Sequence, residues 1–160
     1  MNKDIPGFLR ILLPAMLVPA FGALVGIATS DGVSGWYQTI DQSALTPPDR
    51  VFGMVWTGLY ILMGIALGLL LNAPDGQPRK KILLGLFLTQ LVLNLAWSFI
   101  FFQLHLIWLS ALWIAVLIGL VLCLMIGLWP LRRAASLLLL PYLSWLCFAF
   151  YLSLTIALLN

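Results

Sequence analysis

From Ile82 to Trp129 the chain runs for 48 residues without one Asp, Glu, Lys or Arg. As an α-helix that stretch would be about 72 Å long, whereas the hydrocarbon core of a bilayer is about 30 Å thick. The run therefore crosses a membrane twice and folds back once. The polar interruption at Gln103-Leu104-His105 places the fold-back, with one helix ending near Gln103 and the next beginning near His105. Composition agrees with an integral membrane protein. The chain is 63% hydrophobic and 8% charged, contains no Glu, and has a mean hydropathy of +1.11. Those values exclude an ordinary soluble domain and a disordered chain.

The remaining apolar runs set the helix count. The first covers about residues 5–28. Pro14 and Pro19 should kink it, and Gly22-xxx-Gly26 gives it a close-packing face. Lys3 and the small residues Ala28-Thr29-Ser30 resemble a secretory signal, but the run is long for one, so a retained helix is expected. The second run covers about 47–71 and ends at the turn-forming segment Asn72 to Pro78. Helices over about 80–103, 105–129 and 134–159 complete an all-α bundle of five transmembrane helices in one domain.

Charge placement tests the count. With the N-terminus inside, the cytoplasmic segments hold Lys3, Arg10, Arg79, Lys80, Lys81, Arg132 and Arg133. Only Arg50 falls outside, on the side that carries Asp31, Asp41 and Asp49. Five helices satisfy the positive-inside rule and four or six do not. The reading is N-terminus in and C-terminus out, in a bacterial cytoplasmic membrane. The net charge of +3 is thus a topology signal and no sign of nucleic-acid binding.

One segment breaks the apolar monotony. Residues 30–46 form a long outer loop carrying Trp36 and Tyr37, and it leads into Thr46-Pro47-Pro48-Asp49. That tetrad reads as a helix start, with Thr46 as cap, Pro47 in the first helical position and Asp49 at the positive end of the dipole. Trp56 and Tyr60 follow four residues apart on one face. The loop reads as a lid over a pocket into which that helix aims its rings.

The pocket's other walls come from polar and aromatic stripes. Gln90, Asn94, Trp97 and Phe101 share one helix face, with Ser98 beside it. An amide inside a bilayer needs a partner or a cavity. Tyr142, Trp145 and Ala149 share a face of the last helix. Trp108, Trp113 and Trp129 read as interfacial belt residues. Gly85-xxx-Thr89 and Gly64-xxx-Gly68 are small-residue faces suited to a homodimer. Cys123 and Cys147 read as packing residues, and no His or Cys spacing suggests a metal site. No Asp, Glu, Lys or Arg lies in the intramembrane middle of a span, away from its ends, which argues against an ion-coupled transporter. No phosphate loop or Ser/His/Asp set appears.

In order and spacing, these pieces resemble the translocator protein or tryptophan-rich sensory protein (TspO/MBR) family over nearly the whole chain. The matching residues are Trp36-Tyr37, Pro47-Pro48 and Val55-Trp56-Thr57-x-x-Tyr60. Further on come Gln90-Leu91-x-x-Asn94-x-x-Trp97-Ser98, Phe101-Phe102, and Pro141-Tyr142-x-x-Trp145-x-x-x-Ala149. The resemblance implies a five-helix bundle, usually a homodimer, that binds porphyrins and similar flat hydrophobic molecules. It implies a sensor, carrier or scavenger of protoporphyrin IX or haem with no required cofactor. The other readings are a light-dependent porphyrin-degrading enzyme, in which Trp145 would take part, and a facilitator of hydrophobic metabolite transport. The implied ligand residues are Trp36, Tyr37, Leu45, Tyr60, Asn94, Trp97, Ser98, Phe101, Tyr142, Trp145 and Ala149. One departure stands out. The family's Lys/Arg-Pro-x-Trp-x-Pro-Pro run reads Gln42-Ser-Ala-Leu45-Thr-Pro-Pro48 here, so Leu45 replaces a Trp associated with photochemistry.

Overall fold

The computed structural model describes residues 6–160. Lys3 and the expected helix start at Ile5 lie outside the described residues. The described chain is all α-helix and turn. The long elements are α1 (Gly7–Ala28), α3 (Asp49–Leu71), α4 (Pro78–Phe102), α5 (Ile107–Leu128) and α7 (Leu140–Leu159). Two short helices, α2 (Ser30–Ser34) and α6 (Arg133–Leu138), and a 3-10 turn over Trp36–Thr39 fill the connections. Counting α6 and α7 as one span, five helical segments are long and apolar enough to cross a bilayer. Their outward faces are apolar too: Met16 is 63% exposed, Val92 63% and Ile126 70%. Such side chains on the outside, around a buried core that includes Met63, Phe87, Leu117 and Leu146, define a membrane bundle.

Local chemistry explains where the helices begin and end. The helix after the lid starts at Asp49, not Pro47, and Pro48 is extended at φ −56°, ψ 145°. Thr46 and Pro47 each precede a proline, which pushes both away from helical geometry. Helix can therefore begin only after Pro48, and no side chain caps it. The last span is broken at Leu139. Pro141 has no N–H to give to Leu137, and its ring crowds that carbonyl, so α6 stops and α7 restarts with Pro141 in its first turn. At the fold-back, α4 ends at Phe102 and α5 starts at Ile107. His105 makes the reversal at φ 56°, a left-handed geometry that His tolerates better than most residues.

The end bearing the basic residues is knitted around the C-terminus of α3. Lys80 is 4% exposed, and its ammonium donates to the carbonyls of Leu71 and Ala73 and to Asp75 Oδ1, at 2.9, 2.7 and 2.7 Å. All three of its donors are used, two of them on carbonyls that helix geometry leaves free. The Lys80 ammonium in turn holds the Asp75 carboxyl below the usual carboxylate range. Asn72 donates to the Gly7 carbonyl at 2.7 Å, and Arg132 donates to the Asn72 carbonyl at 2.8 Å. These polar and charged side chains therefore tie the helix ends together.

Packing corrects several expectations. Gly64 and Gly68 lie inside the bundle, facing Pro14 and Ile11 of α1, so that face is not free for a second copy. Cys123 and Cys147 are exposed on the outer surface and not packed in the core. Trp108 and Trp129 are exposed, but Trp113 points inward and donates to the Leu93 carbonyl at 2.8 Å, tying α5 to α4.

Candidate ligand-binding cavity

A cavity of about 320 Å³ opens at the lid end of the bundle. Two helices build its aromatic walls and a third helix an aliphatic one. On α4, Asn94, Trp97, Ser98 and Phe101 face it, as their spacing requires. The Trp97 and Phe101 rings are stacked, with centroids 5.2 Å apart and planes 7° apart. Trp97 Nε1 donates to the Ser110 carbonyl at 3.1 Å, which pins the indole to α5. On α3, Phe52, Trp56 and Tyr60 follow at intervals of four, and the last two rings are 5.4 Å apart. On α7, Ala149, Leu152, Ser153 and Ile156 form the third wall.

The polar groups are few and placed. Tyr60 donates its hydroxyl to Asn94 Oδ1 at 2.8 Å, so two side chains meet each other's needs in a dry setting. Ser98 and Ser153 add hydroxyls. Asp49 is the one charged residue among those lining the cavity, and it accepts from Gln38 Nε2 at 3.3 Å. Tyr37 reaches the cavity from the lid, and burial pushes its hydroxyl pKa up. Among the described residues no group of three His, Cys, Asp or Glu is placed to hold a metal ion.

Of the eleven ligand residues that the resemblance implies, seven therefore meet on the wall: Tyr37, Tyr60, Asn94, Trp97, Ser98, Phe101 and Ala149, and Trp56 joins them there. Four do not. Trp36 lies outside it, stacked on His105 at 4.1 Å and edge-on to Phe101 at 5.5 Å. Tyr142 is fully buried and donates to Gln90 Oε1 at 3.1 Å. Trp145 is not on the wall and packs edge-on against Phe52, which is, at 5.5 Å. Leu45 is 61% exposed on the lid. Sequence reading missed Phe52, Leu152, Ser153, Ile156 and the α1 face of Pro19, Gly22, Ala23 and Gly26. Extending the Trp56 and Tyr60 stripe back four residues finds Phe52, and extending Ala149 by three, four and seven finds the α7 residues.

Five apolar spans and a lidded cavity walled by aromatic rings define a multi-pass membrane protein with an internal hydrophobic chamber. The comparisons with known proteins are more particular. The model of the TspO/MBR family matches residues 14–159, and this chain belongs to that family. It is 37% identical to the Tryptophan-rich protein TspO of Chlorobaculum tepidum over 167 residues, covering 100% of this chain and 99% of that one. It is 33% identical to the human Translocator protein over 141 residues, 85% of this chain and 83% of that protein. Protein CrtK of Rhodobacter capsulatus is 28% identical over 130 residues, 78% of each chain.

Proposed function

We propose that the cavity binds flat, mostly apolar tetrapyrroles such as protoporphyrin IX and haem, and that the protein acts as a sensor, carrier or scavenger of them. The observation that carries this is the parallel Trp97–Phe101 pair, with Trp56 and Tyr60 on the neighbouring helix. Two ring-lined walls suit a large flat π-system, which gains both burial and offset stacking. The cavity is at the small end of the range for ligand sites, about 300–1,000 Å³. A porphyrin would therefore leave its carboxylate edge outside, in water. The test is a spectral titration of the purified protein with protoporphyrin IX and with haem, in the dark and under illumination. Saturable binding in the dark supports the reading. Partitioning no different from empty micelles would sink it. Protein-dependent bleaching in light would favour the degrading enzyme. Leu45, exposed and off the wall, leads us to expect slow bleaching.

Two further points belong to this reading. The seven-to-one charge split supports the N-in, C-out orientation. A Gln77→Cys variant lacking Cys123 and Cys147 should resist an impermeant thiol reagent added outside; labelling from that side would reverse the topology. The homodimer would form through the exposed Gly85 and Thr89 of α4, since a Cβ at Gly85 meets nothing within 4 Å. Gly85→Leu should shift sedimentation in detergent towards the monomer. An unchanged sedimentation profile would remove that face from the interface.

A further inference from the structure

The charge of the cavity is one-sided. Among the residues lining it Asp49 alone is charged, and no Lys, Arg or His joins it there. On α3, Asp49, Phe52, Trp56 and Tyr60 follow at intervals of three, four and four, so the carboxylate tops the stripe of rings at the lid end. Asp49 is exposed as well as lining the cavity, and it therefore stands at the opening. Gln38 Nε2 donates to its Oδ2 at 3.3 Å but shares that amide with the Val33 carbonyl at 3.1 Å. Among the described residues Oδ1 has no hydrogen-bond partner, and Arg50, exposed at the next position, makes no ion pair with the carboxylate. The neutral hydroxyls lean the same way. Thr29 and Thr57 give their protons to the Val25 and Gly53 carbonyls, and Tyr60 gives its own to Asn94. What those three have left to offer a ligand is lone pairs.

We infer that Asp49 is a charge filter, by which the cavity favours flat apolar ligands whose outer edge is positively charged over those whose edge is anionic. The inference rests on reading the cavity as a tetrapyrrole site, and it adds which tetrapyrroles that site takes best. The macrocycle gains its burial and stacking among the rings whatever its edge carries. A charged substituent has to stay in water at the opening, because the walls inside give it no counter-charge. There it meets Asp49 beside low-dielectric protein, where a like charge is repelled and an opposite one is held. An ammonium at that edge also lies at the top of the ring stripe, and ring faces attract cations. Protoporphyrin IX, with two carboxylates, binds through its macrocycle and against this charge. Asp49 also occupies the first turn of α3, where a negative charge favours the helix dipole. That second role is indifferent to the ligand, so the two are separable by experiment.

The test uses the full chain in phosphatidylcholine nanodiscs and three probes that share one macrocycle. They are protoporphyrin IX, its dimethyl ester, and its bis-amide with ethylenediamine, which carries two ammonium groups. Equilibrium binding is read by quenching of tryptophan fluorescence, against empty nanodiscs. Asp49→Asn keeps an oxygen for Gln38 and removes only the charge. It should weaken binding of the ammonium probe about fivefold, which is about 1 kcal/mol. It should tighten binding of protoporphyrin IX about fivefold and leave the ester unchanged. In the native protein, raising the salt from about 0.01 M to about 1 M should shrink the spread among the three probes, because the charge at a wet opening is screened. Equal shifts of all three probes in Asp49→Asn would make the residue structural and overturn the filter. A spread in the native protein that ignores salt would overturn it too. Saturable ester binding, with neither charged probe affected by Asp49→Asn, would overturn the filter and leave the ligand site standing. No saturable binding of the ester would overturn both.

Discussion

Replacing Gly64 with leucine should dismantle the pairing of α1 with α3. A side chain at this position would run into the Pro14 carbonyl group and into Ala15 Cα, which would lie 2.6 Å from the new Cβ. These are backbone atoms, so no rotamer change makes room. The two helices would have to separate, and Gly68 against Ile11 one turn away would lose its contact with them. Overpacking a close-packed site costs typically 1–3 kcal/mol, and a backbone clash belongs at about 3 kcal/mol or beyond. For a chain of this size that is a fall in melting temperature of roughly 10 °C. Thermal denaturation in detergent, read as loss of monodisperse protein, measures it. Gly119→Leu is the control, because a Cβ at Gly119 has open space. Equal melting temperatures for the two variants would show that α1 and α3 are not in backbone contact at Gly64. The outcome also bears on the cavity, since Pro19, Gly22, Ala23 and Gly26 of α1 reach its wall only while that helix stays docked on α3.

How far the sequence carries an observer depends on the kind of force involved. The five spans and the fold-back near His105 were legible because they follow from length, apolarity and the cost of bare charge in lipid. Periodicity then gave the correct inward face of α4, where Gln90, Asn94 and Phe101 are all buried. Periodicity assigns a face, however, and not a depth. Trp145 and Ala149 share a side of α7, yet Ala149 lines the cavity while Trp145 does not and packs edge-on against the Phe52 ring of α3, which does. That difference is set between helices, where no single-helix pattern records it. The same limit misled the reading of Gly64-xxx-Gly68. A small-residue face announces close approach of a helix, and the helix that approaches is α1 of the same chain. The Lys80 clamp was hidden for a related reason: its carbonyl partners at Leu71 and Ala73 come from the backbone, which sequence does not distinguish. The helix start at Asp49 was within reach, since two successive prolines forbid helix at the residue before each.

The depth difference between the two tryptophans makes the sharpest test of the ligand site. Trp97→Ala should weaken protoporphyrin IX binding by about 30-fold, or roughly 2 kcal/mol, adding the stacking of one aromatic pair to the burial lost with the indole. Trp97 presents its ring directly to the cavity and holds Phe101 parallel to it. Removing it takes away one π-face and frees the second ring to tilt. Trp97→Phe keeps a ring but loses the Nε1 bond to the Ser110 carbonyl, so it should fall between alanine and native. Trp145 is off the cavity wall and packs against Phe52, which lines it, so Trp145→Ala should cost less, about threefold. Titrations of the four proteins, each first checked for a native melting profile, give the order native, Trp145→Ala, Trp97→Phe, Trp97→Ala. If Trp145→Ala proved the most damaging, the flat ligand would have to lie against α7 at Trp145. The Trp97–Phe101 pair would then be packing between helices and no part of the site.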